Sequence, residues 1–325
     1  MQPTPSRRSA WSSLVRLPNV FTVVADVSAA FLLVGGWPHD AGAAGRWAAI
    51  VVAGVLLYWS GMILNDVFDV EKDRIERPHR PLPAGQISIR SAQTAAVICM
   101  IGGIAMAAIS GLIPAAGLRS TIGPAVVALI LGGCIYLYDG PAKRTVAAAY
   151  LMGGCRFLSF LLGASPVALA GDWIDPIAGF PRLAVAAAWG FGLYIAGLTL
   201  VGRKEAAVTS TASSHVSVGA VLTLLGLIVI AMSPRASSGE ILFRIDPRIL
   251  FPGAIAMIGY PIVLRAFRAA VDPVAGKVQM TVRSGILTII PLSGCVAVLG
   301  AGAAGAVVFA LWLPAYWLSM RYRVT

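Results

Sequence analysis

Charge is scarce in this chain. Of its 325 residues, 12% are Asp, Glu, Lys or Arg, whereas 58% are hydrophobic. A soluble domain carries about twice that charged fraction, so the composition excludes an ordinary soluble globular protein. The sequence instead predicts a polytopic membrane protein.

Histidine and cysteine are also rare, with three and four residues respectively. The histidines form no cluster, and the cysteines lie in apolar runs without the spacing of metal ligands. We interpret the cysteines as small buried hydrophobes; they are Cys99, Cys134, Cys155 and Cys295. No metal site of the cysteine–histidine kind is therefore predicted.

What the chain does contain is apolar runs of about 20 residues, the length that crosses the hydrocarbon core of a bilayer. Runs this long and continuous form helices, which satisfy their backbone hydrogen bonds internally. We predict one integral domain over residues 1–325, an all-α transmembrane bundle of about nine to ten spans. The runs lie at roughly 17–37, 46–64, 91–113, 121–138, 146–169, 181–201, 216–232, 249–267, 284–303 and 305–320. The last two are joined by a Gly/Ala-rich stretch, so residues 284–320 fit either two spans or one long kinked span.

Lysine and arginine are unevenly distributed among the loops. If the N-terminus is cytoplasmic, most of them fall in cytoplasmic segments, as the positive-inside rule requires. We therefore predict a multi-pass protein of the inner (plasma) membrane, with residues 1–16 as a cytoplasmic segment and residues 65–90 as a cytoplasmic loop. The net charge of +11 then reflects contact with anionic lipid headgroups, and we expect no nucleic-acid partner.

Acidic residues concentrate where the second apolar run ends. Asp66, Asp69 and Asp73 are spaced i, i+3 and i+7, so on a helix they share one face. Such close carboxylates repel one another unless a cation lies between them, and Mg²⁺ commonly joins carboxylates to phosphates. Arg74 and Arg77 follow, and arginine suits free phosphate oxygens. The segment predicts a Mg²⁺ site for a diphosphate; the alternative is an ordinary charged loop.

The pattern Asn65-Asp66-x-x-Asp69-x-x-x-Asp73, followed by the RPHRPLPAG run at 77–85, resembles the first aspartate motif of the UbiA-type intramembrane prenyltransferases. The resemblance implies a helical bundle that transfers a prenyl group from a polyprenyl diphosphate to a lipophilic, commonly aromatic acceptor, using Mg²⁺. It also implies that Asp66, Asp69 and Asp73 hold Mg²⁺ and the diphosphate, with Asn65 in support.

Two further segments carry the resemblance. The first span opens with Arg16-Leu17-Pro18-Asn19, which makes Arg16 and Asn19 candidate substrate-binding residues. The fourth span ends in the stretch YDGPAKR, where the resemblance assigns Tyr138, Lys143 and Arg144 to the diphosphate. Positive charge there would stabilise a leaving diphosphate. The alternative is that Lys143 and Arg144 only anchor the turn at the membrane surface.

An acid also lies in that turn. Asp139 is either a further metal ligand or a solvated acid, and we prefer the solvated acid.

Part of the family pattern is missing. Members usually carry a second aspartate motif after the sixth span, whereas residues 192–205 contain no Asp and end in Arg203-Lys204-Glu205. In the interpretation we prefer, Arg203 and Lys204 replace the second metal as counter-charges. In the other, the chain is a non-catalytic prenyl-lipid-binding or transport-associated protein. The basic–Glu pattern resembles that of a divergent, EboC-like branch of the family.

Two ionisable residues lie inside predicted spans. Asp26 and Arg156 each fall about 15 Å from the cytoplasmic side. Intramembrane charges normally face a partner or a wet cavity. Two interpretations stay open: a structural Asp26–Arg156 pair, or a place in the cavity wall where Arg156 binds substrate.

Overall fold

A computed structural model of the chain describes residues 7–145, 147–168, 179–202, 210–237, 239 and 241–321. These residues form helices and no β-strand, which confirms the predicted all-α class. The α-helices are α1 Arg7–Leu14, α2 Val20–Gly35, α3 Ala41–Phe68, α4 Val70–Glu76, α5 Ile89–Leu112, α6 Gly123–Asp139, α7 Ala147–Ala168, α8 Arg182–Gly202, α9 Ser210–Met232, α10 Leu250–Val271, α11 Ala275–Ala301, α12 Val307–Ala310 and α13 Trp312–Arg321.

Apolar helices long enough to cross a membrane recur through the described residues. There are eight such segments, and the 17-residue α6 is a shorter apolar helix. The chain is therefore a multi-pass membrane protein, and the helices follow the predicted runs with shifted ends.

The last apolar segment, Ala275–Met320, contains 46 residues and doubles back on itself. At Gly302 the backbone adopts φ +63°, a conformation that glycine tolerates because it has no Cβ. Near the start of α11, Arg283 Nη2 donates to the carbonyl of Ser319, near the end of α13, at 3.1 Å. The structure thus favours two antiparallel spans over one long kinked span.

The N-terminal segment, expected only as a polar extension, forms the helix α1. Its buried residues Ala10 and Leu14 pack in one cluster with Ile63 of α3 and with Leu82 and Ile87. The last two belong to the loop between α4 and α5. Hydrophobic burial therefore fixes this loop against the end of α3.

A glycine lets α2 and α7 approach closely. A Cβ at position 163 would lie 2.2 Å from the carbonyl oxygen of Val27, so only glycine fits there without movement of a helix. Ser159 and Arg156 lie about one and two turns earlier on α7. The close approach brings both side chains to Asp26 on α2.

At the opposite end of these helices, Arg46 of α3 is completely buried. Its guanidinium donates to the carbonyls of Ile113 at 2.8 Å, Pro166 at 2.7 Å and Arg119 at 3.0 Å. The carbonyls at a helix end lack partners within the helix. Arg46 is the hydrogen-bond donor for such carbonyls at the ends of α5 and α7.

Candidate active site

We call the end of the bundle that carries Asn65–Asp73 and Tyr138–Lys143 the motif end. There α3 finishes at Phe68 and α4 begins at Val70, so the single helix expected across the aspartates is interrupted at Asp69. Asp66 and Asp73 are buried, whereas Asp69 is partly exposed. Placement on one helix face had predicted a shared environment for the three carboxylates. The structure instead gives Asp69 a different environment from Asp66 and Asp73.

Arg80 joins the two buried aspartates. Its Nη1 atom lies 2.7 Å from Asp73 Oδ2 and 3.6 Å from Asp66 Oδ1. Arg80 is 12% exposed at its side chain, so the charges meet largely away from bulk water. An ion pair of this kind is strongly coupled, because removing one partner leaves a buried charge without compensation.

Two further cations reach the motif from other segments. Arg16 Nη2 lies 3.4 Å from Asp66 Oδ1, and Lys143 Nζ lies 2.7 Å from Asp69 Oδ2. Lys143 also donates to the carbonyl of Asn65 at 3.3 Å. The structure thus brings Arg16 and Lys143, both singled out from the sequence, to the aspartates.

The backbone at Arg16 is held in the left-handed region, with φ +46°. A residue with a Cβ adopts this conformation at a free-energy cost, and such strain is concentrated at functional sites. The hydroxyl of Tyr58 donates to the Arg16 carbonyl at 3.3 Å and helps to hold the turn.

Asp139 lies beside the motif and is not a solvated acid. It is 2% exposed and accepts a hydrogen bond from Asn65 Nδ2 at 3.0 Å. The preferred interpretation of Asp139 was therefore wrong. Gly61 allows α6 to pack close to α3 at this level, and that packing excludes water from the carboxylate.

A cavity of about 270 Å³ lies next to these residues. Its polar lining includes five residues that the sequence had singled out: Arg16, Asn19, Asn65, Tyr138 and Asp139. The rest of its wall is mainly apolar, including Leu57, Leu131, Ile135, Met152, Ile195 and Leu198. We call the part of the wall next to the motif, with Arg16, Asn65 and Asp139, the cavity mouth. A polar mouth beside an apolar wall matches an amphiphile with an anionic head and a hydrocarbon tail.

The two intramembrane charges pair with each other. Arg156 Nη1 lies 2.5 Å from Asp26 Oδ2, and Ser159 donates to the same oxygen at 3.3 Å. Asp26 is completely buried, whereas Arg156 also lines the cavity beside Thr22. Arg156 therefore pairs with Asp26 and also lines the cavity, so the two interpretations do not exclude each other.

Several predicted arginines are not brought to the motif. Arg74 is exposed and pairs with Glu71 at 2.7 Å, and Arg77 and Arg144 are exposed as well. Arg77 lies just after α4, which ends at Glu76. Arg203, Lys204 and Glu205 lie outside the described residues.

Arg80 is the site residue that sequence reasoning missed. The only signal was its place in the proline-rich run after the motif. Its approach to the aspartates depends on the loop that α1 holds in place, which no local pattern reveals.

The oxygen donors at the motif end suit Mg²⁺, a hard cation that prefers carboxylates and phosphates. Among the described residues, no three His, Cys, Asp or Glu side chains converge as a metal cage. Mg²⁺ commonly needs only one or two protein carboxylates when phosphate oxygens and water complete its shell. Asp66 and Asp69, with Asp73 close by, therefore fit the chemistry of such a site.

Fold and site together define an integral-membrane helical protein with a carboxylate–cation cluster above an apolar cavity. The model of the UbiA prenyltransferase family matches residues 20–270, more than half of the chain. The chain therefore belongs to the UbiA prenyltransferase family, and the resemblance seen in its motifs is confirmed.

Relatives and solved structures agree with this assignment. A digeranylgeranylglyceryl phosphate synthase from Methanoculleus marisnigri is 37% identical over 128 residues, which are 38% of this chain and 40% of the relative. The chain thus matches less than half of that synthase's length.

The fold is similar to a solved structure of a digeranylgeranylglyceryl phosphate synthase in membranes, with a TM-score of 0.62 and 18% identity over 91% of this chain and 99% of the other. A UbiA homolog from Archaeoglobus fulgidus bound to Cd²⁺ gives a TM-score of 0.56 and 15% identity, over 86% and 99%.

Proposed function

We propose that the chain transfers a prenyl group from a polyprenyl diphosphate to a lipophilic acceptor within the membrane, with Mg²⁺ as cofactor. The observation that carries the proposal is the cluster beside the cavity mouth, where Asp66 and Asp69 are each paired with a cation and Arg16 also lines the cavity. A diphosphate can take over Arg16 and Lys143, which would leave Asp69 free for a metal and Asp66 in contact with Arg80 alone, at 3.6 Å. Mg²⁺, when bound, would neutralise phosphate oxygens that the carboxylates alone would repel.

The residues around the mouth have separable roles in this proposal. Arg16 and Lys143 donate to phosphate oxygens, and Lys143 stabilises the negative charge that grows on the diphosphate as the C–O bond breaks. Asp66, Asp69 and Asp73 provide the metal oxygens, while Arg80 holds the loop beside them. Asn19 and Tyr138 line the cavity.

The acceptor is proposed to enter the apolar part of the cavity. Asp139 lines this space and is buried, which makes it the candidate to accept the proton that the acceptor loses. Two acceptor classes are in view: the aromatic compound that the sequence resemblance implied, and a glyceryl phosphate lipid, suggested by the names of the relatives. Arg156, which lines the cavity, is proposed to contact either one.

The second candidate function is prenyl-lipid binding without turnover. It is favoured by residues 192–205, which contain no Asp where the family's second motif is expected. Under the main proposal, Arg203 and Lys204 supply positive charge in place of a second metal. We further propose a single domain in the inner (plasma) membrane, with a cytoplasmic N-terminus and the motif end facing the cytoplasm.

The deciding experiment is turnover of labelled farnesyl and geranylgeranyl diphosphate by purified protein, with and without Mg²⁺. A membrane extract, a hydroxybenzoate and a prenylglyceryl phosphate serve as separate acceptors. We expect Mg²⁺-dependent diphosphate release with a labelled product, lost in Asp66→Ala and kept in Glu71→Ala, whose side chain is exposed. Tight binding of the diphosphate without release from wild-type protein would instead support the lipid-binding function.

A further inference from the structure

Two of the four cysteines meet inside the bundle. Cys134 of α6 and Cys155 of α7 have their sulfur atoms 3.4 Å apart, and the Cys155 thiol donates to Cys134. The Cys134 thiol in turn lies 3.5 Å from the carbonyl of Leu151. No local pattern predicts this pair, because the two residues are 21 positions apart and belong to different helices.

The pair borders the cavity. Both cysteines are partly exposed, and Cys155 lines the cavity between Met152 and Arg156. A small molecule that enters the cavity can therefore reach the Cys155 sulfur.

The pair also closes a loop that carries active-site residues. The chain from Cys134 to Cys155 includes Asp139, which binds Asn65, and Lys143, which pairs with Asp69. A covalent link between α6 and α7 would therefore act on the cavity wall and on the hairpin that delivers Lys143.

We propose that Cys134 and Cys155 form a redox-modification site, a dithiol whose oxidation to a disulfide slows the enzyme. The regulatory effect rests on the proposed function, whereas the chemistry of the pair does not. Where disulfides occur in proteins that face the cytosol, they are usually transient and redox-sensing, which agrees with a reversible pair.

The oxidation balances with a peroxide as oxidant. The Cys155 sulfur attacks one peroxide oxygen, which gives a sulfenic acid and one water when the oxidant is hydrogen peroxide. The Cys134 sulfur then displaces the hydroxyl group from the Cys155 sulfur, which forms the S–S bond and releases a second water. Two thiols thus lose two electrons and two hydrogens, and a dithiol reductant reverses the change.

Disulfide formation moves the cavity wall. An S–S bond is about 2.05 Å long, so the sulfur atoms must approach by more than 1 Å from their present separation. A displacement of about 1 Å at a reacting centre can lower a rate about 100-fold. We expect oxidation to lower kcat/KM for the prenyl diphosphate at least about tenfold.

The test uses the purified full chain in detergent, treated with hydrogen peroxide and then digested under non-reducing conditions. Mass spectrometry should find one peptide pair linking Cys134 to Cys155, and the number of free thiols should fall by two. Binding of labelled farnesyl diphosphate in the presence of Mg²⁺ should weaken, and dithiothreitol should restore it. Cys134→Ser and Cys134→Ala should both abolish the link and the loss of binding, whereas Cys99→Ser should keep them.

Two results would overturn the proposal: oxidation of Cys155 to a sulfonic acid with no linked peptide, or a linked peptide that leaves farnesyl diphosphate binding unchanged. Absence of turnover in the fully reduced protein would count against the proposed function instead. The linkage and binding measurements do not depend on turnover, so the two failures are distinguishable.

Discussion

Arg80 holds Asp73 at 2.7 Å from a loop that begins only after the helix bearing Asp73 has ended. The same loop packs through Leu82 and Ile87 against α1, which lies outside the family match that starts at residue 20. Packing by the N-terminal helix thus supports a charge contact in the middle of the candidate site.

Arg80→Gln should weaken both the fold and the site. Removing one partner of a buried ion pair destabilises a protein by about 3–5 kcal/mol, because the remaining charge is left uncompensated. We expect a lower thermal unfolding midpoint and at least about a tenfold loss in kcat/KM for the prenyl diphosphate. Arg80→Lys should restore part of both, because it keeps the charge but not the planar fork.

Arg77→Gln is the matched control, because Arg77 belongs to the same loop region but is exposed. Equal losses in the Arg80 and Arg77 variants would show that the Arg80 contacts have no special role.

Asp69→Asn should abolish Mg²⁺-dependent transfer while leaving the fold intact. Asp69 is partly exposed, so loss of its pair with Lys143 has little effect on stability. Loss of a metal-binding carboxylate should lower turnover about 100-fold or more. Activity assays across a Mg²⁺ titration, beside Glu71→Gln as an exposed acidic control, would measure this, and full activity in Asp69→Asn would refute the assignment.

Arg156→Met should be among the most destabilising single changes. It leaves Asp26 fully buried in a membrane span without its cation, and breaking such a pair costs about 3–5 kcal/mol. Replacing both residues, as Asp26→Leu with Arg156→Met, should recover much of the stability lost in either single variant.

Thermal unfolding in detergent of all four proteins gives the coupling energy between the two positions. Recovery of stability without recovery of activity would assign Arg156 a substrate contact besides its pairing role. If the losses in stability of the two single variants add up in the double variant, the interaction between Asp26 and Arg156 contributes nothing to stability.

Gly163→Ala should force α2 and α7 apart. The new Cβ would meet the Val27 backbone at 2.2 Å, and overpacking of this kind costs about 1–3 kcal/mol. Gly133→Ala on α6 is the control, because a Cβ there has no neighbour within 4 Å. The unfolding midpoint should fall for Gly163→Ala only. A similar midpoint for both variants would mean that α2 and α7 can move apart without loss of stability.

The elements that could be predicted from sequence are those with a local signature. Apolar runs of span length revealed the helices, and the spacing of Asp66, Asp69 and Asp73 marked the site. Arg16 and Lys143 were found because they lie in short motifs beside span ends.

The missed features all depend on packing between distant segments. The reach of Arg80 depends on the loop that packs against α1, and the burial of Asp139 depends on the packing of α6 against α3. Helical periodicity describes one element at a time, so it could not predict that Arg80, and not Arg77, contacts the aspartates.

Arg46 gives the bundle one end that resists opening. Separating α3 from α5 and α7 at that end would break three hydrogen bonds of one buried guanidinium. At the motif end, Lys143 of the turn before α7 pairs with Asp69 just after α3, and an anionic substrate can replace Asp69 in this contact. The contacts of α3 at the motif end can therefore be exchanged by a substrate, whereas the contacts of Arg46 at the other end stay within the protein.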